Sequence, residues 1–399
     1  MCKRLYLFWA FSFFISFLFA QDPFHDKLVY QVPEMQKVKM KEKNEFLKVN
    51  DTTLTFDIYY PAGFSIKKSL PVVIFNNGVG SMDIPRWGQY TGWCRLIAAN
   101  DMIAVTHQSR TAPNTLPDCE ALIDYLHLHA KELGIDAGRI GLWTCSANSR
   151  VGARLAFKTR PGLIKTFVMY YGNTDSLGEL RQDLPTLVVR AGLDAQFMNI
   201  GIENFVQNSL VQDTRIEVIN YLSGIHAFDL FTNTEESEEV IKKTVAFLKN
   251  NLTKQVLPSK EFVLTNRNFM WLMNNGMKEK AVNEFRKART RYRSDSTFNP
   301  FFNGVLREDV LNANAYWLLN HQKQNEGLET FKLMVETYPE STNAYDGLSD
   351  AWEAMGNKLE AIKNAEACLQ KLDKDTNLDP RFKERIRQSA QDKIRRLKL

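Results

Sequence analysis

The sequence predicts an α/β sheet with helices on both faces, followed by an all-α segment of helical repeats. Three observations carry this. Short apolar runs alternate with helical stretches from residue 37 to Leu252, one of those runs ends in a sharp serine-bearing turn, and a 34-residue periodicity follows. At 399 residues two domains are expected, and a hydrophobic content of 44% suffices for a sizeable core. The net charge of +5 is spread along the chain and gives no case for a nucleic-acid partner.

The amino terminus reads as an address rather than as structure. Lys3 and Arg4 precede the apolar run LYLFWAFSFFISFLFA, which ends at Ala20. That is the pattern of a secretory signal cut after Ala20, so the protein is expected outside the cytoplasm, periplasmic or extracellular. Leu18 is an unusual residue three before the cut, which leaves an uncleaved membrane anchor as the alternative. Cys2 precedes the apolar run and is therefore not a lipid-anchor cysteine at the cleavage site. The expected organisation is a signal at 1–20, a sheet domain at 21–252 and repeats at 253–399. Cys94, Cys119, Cys145 and Cys368 show no metal spacing, so neither metal nor cofactor is expected. Their spacing leaves open whether Cys94 and Cys119 pair.

Within the first domain, FLKVN and TLTFDIYYPA predict a hairpin closed at Asn50-Asp51. LPVVIFNN is a continuous apolar run, which marks a strand buried on both faces. MIAVTHQSR predicts the next strand, 118–133 a helix, 140–143 a strand, and KTFVMYYG and TLVVRAG two more. RIEVINY adds another strand, and SEEVIKKTVAFLKNNL a closing helix that ends near Leu252. Trp87, Trp93 and His107 are expected on neighbouring loops, where they line a pocket or simply pack.

Residues 140–150, IGLWTCSANSR, take an apolar strand into a tight turn at Ser146 and at once into a helix. A strained strand-to-helix turn of this kind holds a serine oxygen out above a sheet. Asp194 follows the strand in LPTLVVRAGLD, and His226 follows the one in RIEVINYLSGIHAFDLF. Ser146, Asp194 and His226 thus each lie just past a predicted strand, and in a parallel sheet such ends converge on one crevice. Asn77-Gly78-Val79-Gly80 also follows a strand, and glycine there lets backbone N–H groups approach a developing negative oxygen.

The stretch from Asp118 to Arg154, with EALIDYLHLHAKELGID before GRIGLW and the serine turn, resembles the dienelactone hydrolase-like branch of the α/β-hydrolases. The resemblance spans roughly residues 40–250. It implies a serine hydrolase whose chain order is Ser, acid, His: Ser146 as nucleophile, Asp194 as acid and His226 as base. It also implies an oxyanion hole from the glycine turn, at Gly78 and Val79, together with the N–H of Ala147. Thr144 and Asn148 depart from it, standing where the G-x-S-x-G pattern has glycines. Cys145 is the more reactive neighbour, but two residues must separate the strand Ile140–Trp143 from the nucleophile, which selects Ser146.

After Leu252 strand patterns vanish. A repeat starting at Glu308 places Leu311, Ala315, Leu318, Gly327, Phe331 and Met334 at packing positions, and adding 34 reaches Tyr345, Ser349, Trp352, Ala361, Ala365 and Cys368. An earlier unit from Phe262 places Leu272, Gly276, Ala281, Phe285 and Ala288 equivalently, with a loop at 296–307 breaking the register. This period and spacing resemble the tetratricopeptide repeat. The tail from Pro380 is expected to cap the array, with contact between its basic run and an anionic partner as the alternative.

Three functions compete: a serine esterase acting on a small-molecule ester, a peptidase of the same fold, and a non-catalytic scaffold whose repeats hold a protein or peptide partner. A membrane enters only if the N-terminal segment stays uncleaved.

Overall fold

Apolar alternation builds the sheet. The computed structural model describes residues 27–78, 82–253, 262–294, 304–374 and 379–399, so the expected signal segment lies outside the described residues. The strands are β1 Lys39–Val49, β2 Thr52–Tyr60, β3 Leu70–Asn76, β4 Ile103–His107, β5 Ile135–Cys145, β6 Ile164–Tyr170, β7 Thr186–Ala191 and β8 Ile216–Tyr221. They form one sheet in the order β1-β2-β4-β3-β5-β6-β7-β8. β1 pairs antiparallel with β2, and β2 with β4; every later pairing is parallel. Because side chains alternate along a strand, Val73 and Phe75 of β3 enter one core, while Val72 and Ile74 enter the other.

The helices of this region are α1 Gly88–Ala98, α2 Thr115–Leu128, α3 Ala130–Leu133, α4 Ser149–Arg154, α5 Gln196–Val211, α6 Phe228–Phe231 and α7 Glu235–Thr253. α1 and α7 cover one face through Trp93, Leu96, Ile241 and Leu248; α2 and α5 cover the other through Leu122, Leu126, Ile202 and Phe205. The expected helix 118–133 is in fact two, parted at His129, and α3 ends at Gly134 with φ +67. The expected strand 140–143 is longer at both ends, Ile135–Cys145, so the strand runs right up to Ser146; residues 136–139 are only partly buried or exposed and carry no continuous apolar pattern. Trp93 is not on a loop. It is fully buried on α1, a helix whose two glycines and β-branched threonine blunt its helical pattern. Cys94 and Cys119 are free thiols in opposite cores, so the sheet itself stands between them.

Contacts divide the chain into two compact units, 1–210 with 214–258 and 211–213 with 259–399. The second contains α8 Asn266–Asn274, α9 Lys278–Ser294, α10 Glu308–Asn320, α11 Gln324–Thr337, α12 Thr342–Ala354, α13 Lys358–Lys374 and α14 Pro380–Lys398. Small residues sit where helices cross. Ala315 is fully buried, and so is Ser349, whose hydroxyl donates to the Ala361 carbonyl at 2.8 Å. Gly347 faces the buried ring of Phe331, where a Cβ would come within 2.1 Å of a ring carbon. Trp352 is only partly buried, with the Lys332 ammonium 5.0 Å from its ring centre, so Phe331 is the more central aromatic. Asp379 caps α14 by accepting the N–H groups of Arg381 and Phe382. The basic run of α14 is partly turned inward: Lys393 is buried and pairs with Asp350 at 2.5 Å and Asp346 at 3.4 Å.

Candidate active site

The carboxyl ends of the parallel strands bring the three singled-out residues together. Cys145, the last residue of β5, is extended, and Ser146 then swings to φ +51, a left-handed conformation that costs a non-glycine residue energy. Ser146 Oγ lies 3.1 Å from His226 Nε2, and His226 Nδ1 lies 2.7 Å from Asp194 Oδ2. A carboxylate only accepts, so Nδ1 must carry the hydrogen, which leaves Nε2 as the acceptor for the serine hydroxyl. The other Asp194 oxygen accepts the Ala195 N–H at 2.7 Å, and the Asp194 side chain is 5% exposed against 37% for His226. The acid is therefore held in the turn while the imidazole edge stays accessible.

Behind His226 lies a buried carboxylate that the sequence did not mark. Asp229, three residues on, accepts from Trp93 Nε1 at 2.8 Å, Gln89 Nε2 at 2.9 Å and Tyr171 Oη at 2.8 Å. Burial pushes its pKa up, and those three donors pull it back. The Tyr171 ring packs against the His226 imidazole, with centroids 4.9 Å apart. Asp229 thus ties the histidine loop to α1 and to the end of β6. The only textual signal was an acidic residue inside the otherwise apolar FDLF.

Cys145 points down into the core beside Trp143 and Tyr170. Its Sγ lies 3.5 Å from Tyr90 Oη, and burial pushes the thiol up to about 12, so at neutral pH it is no thiolate nucleophile.

The glycine turn departs from expectation. The Gly78 N–H already donates to Tyr90 Oη at 2.7 Å, because the buried phenol needs a partner there, and it is therefore not free to serve an oxyanion. Val79 lies outside the described residues. Ala147 occupies the short 3-10 turn Ser146–Asn148, immediately after the serine. Of the three pocket candidates, Trp93 belongs to the core and His107 is 2% exposed at the end of β4, while Trp87 is half-buried at the start of α1. His107 Nε2 has no hydrogen-bond partner among the described residues, and burial lowers its pKa to about 4.

The non-glycine residues of the elbow are accommodated. Thr144 is fully buried and fits because Gly152 of α4 faces it; a Cβ on Gly152 would meet the Thr144 Cβ at 2.8 Å. The bulk that a glycine avoids on the strand is offset by a glycine on the helix. Asn148 Nδ2 donates to the carbonyl oxygens of Asn77 at 2.5 Å and Gly78 at 3.0 Å.

No protein-family model matches this chain, and no curated relative does. Solved structures with a similar fold include a bacterial heroin esterase at 14% identity (TM-score 0.47, covering 60% of this chain and 90% of that one). Another is a thermostable esterase from Pseudomonas putida ECU1011 at 15% identity, with a TM-score of 0.48 over 56% of this chain and 86% of that one. A third comes from two fungal esterases of Rhizomucor miehei, at 16% identity and a TM-score of 0.47 over 59% of this chain and 88% of that one. At such identities and TM-scores the likeness carries no conclusion about chemistry, which must come from the site itself.

Proposed function

We propose that this chain is an exported serine hydrolase of the α/β-hydrolase type, cleaving a small carboxylic ester through an acyl-enzyme. The supporting observation is the hydrogen-bonded row from Ser146 Oγ through the His226 ring to Asp194. In this reading His226 Nε2 takes the Ser146 proton as Oγ attacks the ester carbonyl carbon. The carbonyl π-bond electrons move to oxygen, and the Ala147 N–H is the assigned donor to that oxyanion. Collapse expels the alcohol, which receives the proton from His226, and water then repeats the sequence to release the acid. Asp194 holds the imidazole in the correct tautomer and stabilises its charged form without taking the proton. The helical unit, with its tetratricopeptide-like spacing, is assigned to holding a peptide segment or protein partner.

The test is labelling by a fluorophosphonate together with a panel of short activated esters and proline amides. Labelling at Ser146 with ester turnover supports the reading; turnover of amides alone would make it a peptidase. No labelling and no turnover would reduce the chain to a scaffold.

A further inference from the structure

The elbow carries an asparagine where related elbows carry glycine, and its side chain is engaged on both hydrogens. A carboxamide NH2 has two donors, and here each meets a backbone carbonyl of the loop after β3, Asn77 at 2.5 Å and Gly78 at 3.0 Å. The asparagine is itself fixed from below. Its backbone carbonyl oxygen accepts from Thr144 Oγ1 at 3.0 Å and from Asn76 Nδ2 at 3.1 Å. The loop it holds abuts the serine: a Cβ on Gly78 would lie 3.8 Å from the Ser146 Cβ. Asn77 is anchored from the other side, donating to the His107 carbonyl at 2.8 Å and accepting from Thr106 at 2.9 Å.

We propose that Asn148 is a positioning residue that clasps the loop after β3 to the serine turn and keeps its carbonyl oxygens away from the developing oxyanion. This rests on the serine-hydrolase reading. The physical reason is one of sign. Carbonyl oxygens carry partial negative charge, and two of them beside an attacked ester would oppose the negative oxygen that forms. Donating to both directs them at the asparagine and, since peptide units are planar, fixes the orientation of the units they belong to. The unit that joins the Asn77 carbonyl to the Gly78 N–H is held at both ends, by Asn148 and by Tyr90, whereas the Gly78 carbonyl has Asn148 alone among these bonds. A glycine at 148, the residue of the family pattern, would leave both carbonyls without this partner. The departure at 148 is then a working part of the site.

The experiment uses the full chain with Asn148→Gly and Asn148→Asp. The aspartate keeps the size but presents only acceptors to the two carbonyls at neutral pH. Readouts are kcat and KM on 4-nitrophenyl acetate, and inhibition by a trifluoromethyl ketone, whose adduct carries the oxyanion. Both variants are expected to lose kcat by about 10- to 100-fold, as for a misplacement on the order of 1 Å, with little change in KM. The ketone should weaken by a similar factor, which a merely structural role would not produce. Asn148→Gly as active as the parent or more so, or an effect confined to KM, would overturn the clasp. If the glycine variant does not fold, the aspartate decides by the same readouts. A parent chain with neither ester turnover nor fluorophosphonate labelling would instead sink the hydrolase reading, and the clasp with it.

Discussion

The sheet unit and the helical unit use irregularity in opposite ways. In the helical unit small residues recur at a fixed offset, Ala315 and Ser349 at helix crossings, and Lys393, a deeply buried cation, has two carboxylates around it. Among its described residues Asp213 and Gln322 are left-handed non-glycines, far apart in the chain. The sheet unit has left-handed residues away from the site too, at Lys43, Asn50 and Asp101, but several departures meet at the ends of its parallel strands: a left-handed Ser146, a left-handed Ala227 beside the histidine, a buried Asp229, and a turn with threonine and asparagine in place of glycine. Three of them are offset on the spot: Asp229 accepts from three donors, Thr144 faces Gly152, and Asn148 donates to two carbonyls. This contrast locates the chemistry more firmly than any single residue does.

The largest test of that contrast is Ser146→Ala, expected to lower ester turnover by a factor on the order of 10³ to 10⁶ without changing the melting temperature of either unit. Cys145→Ala, in the same assay, should cost less than about tenfold; a reversed ranking would move the reacting atom into the core. Next comes Phe331→Ala. Removing this fully buried ring should destabilise the helical unit by about 3–5 kcal/mol and leave turnover intact, read by calorimetry beside the ester assay. A parallel fall in turnover with a folded array would erase the division of labour. The smallest effect is a pH slope. His107 has its pKa lowered to about 4 by burial, against an ordinary value of 6.5 in the unfolded chain. Between these values the unfolded chain binds a proton that the folded one refuses. Its contribution is therefore complete above pH 6.5 and drains away as pH falls toward 4, by up to about 3 kcal/mol. Melting temperature against pH should fall less steeply across that window in His107→Gln; an unchanged slope would show that the imidazole is not buried neutral.

The strands and the three site positions were legible because each rests on a local pattern. β3 is a continuous apolar run, and Ser146, Asp194 and His226 each follow a β-branched stretch by a few residues, so parallel pairing alone brings them to one edge. Their juxtaposition follows from topology; their roles belong to the proposal above. What was illegible depends on partners far away in sequence. Nothing in WGQYTGW tells that Tyr90 will take the Gly78 N–H or that Gln89 and Trp93 will serve Asp229 across 140 and 136 residues. α1 was hidden by its glycines, and the start of β5 by the polar and small residues Asp136, Ala137, Gly138 and Arg139. How Thr144 and Asn148 fit the turn is illegible for the same reason: it depends on the helix and loop that receive them.

Thr144 and Gly152 carry a consequence for how this turn can change over generations. With threonine on the strand, position 152 has no room for a Cβ, so Gly152→Ala is barred while Thr144 stays. Were 144 a glycine, alanine at 152 would meet none of those threonine atoms. The two positions are therefore ordered in time: an ancestor with a side chain at 152 had to lose it before threonine could arrive at 144, and the return journey must begin at 144. The pair thus fixes the order in which the two positions can be changed: a side chain is accepted at one only while the other has none to meet it.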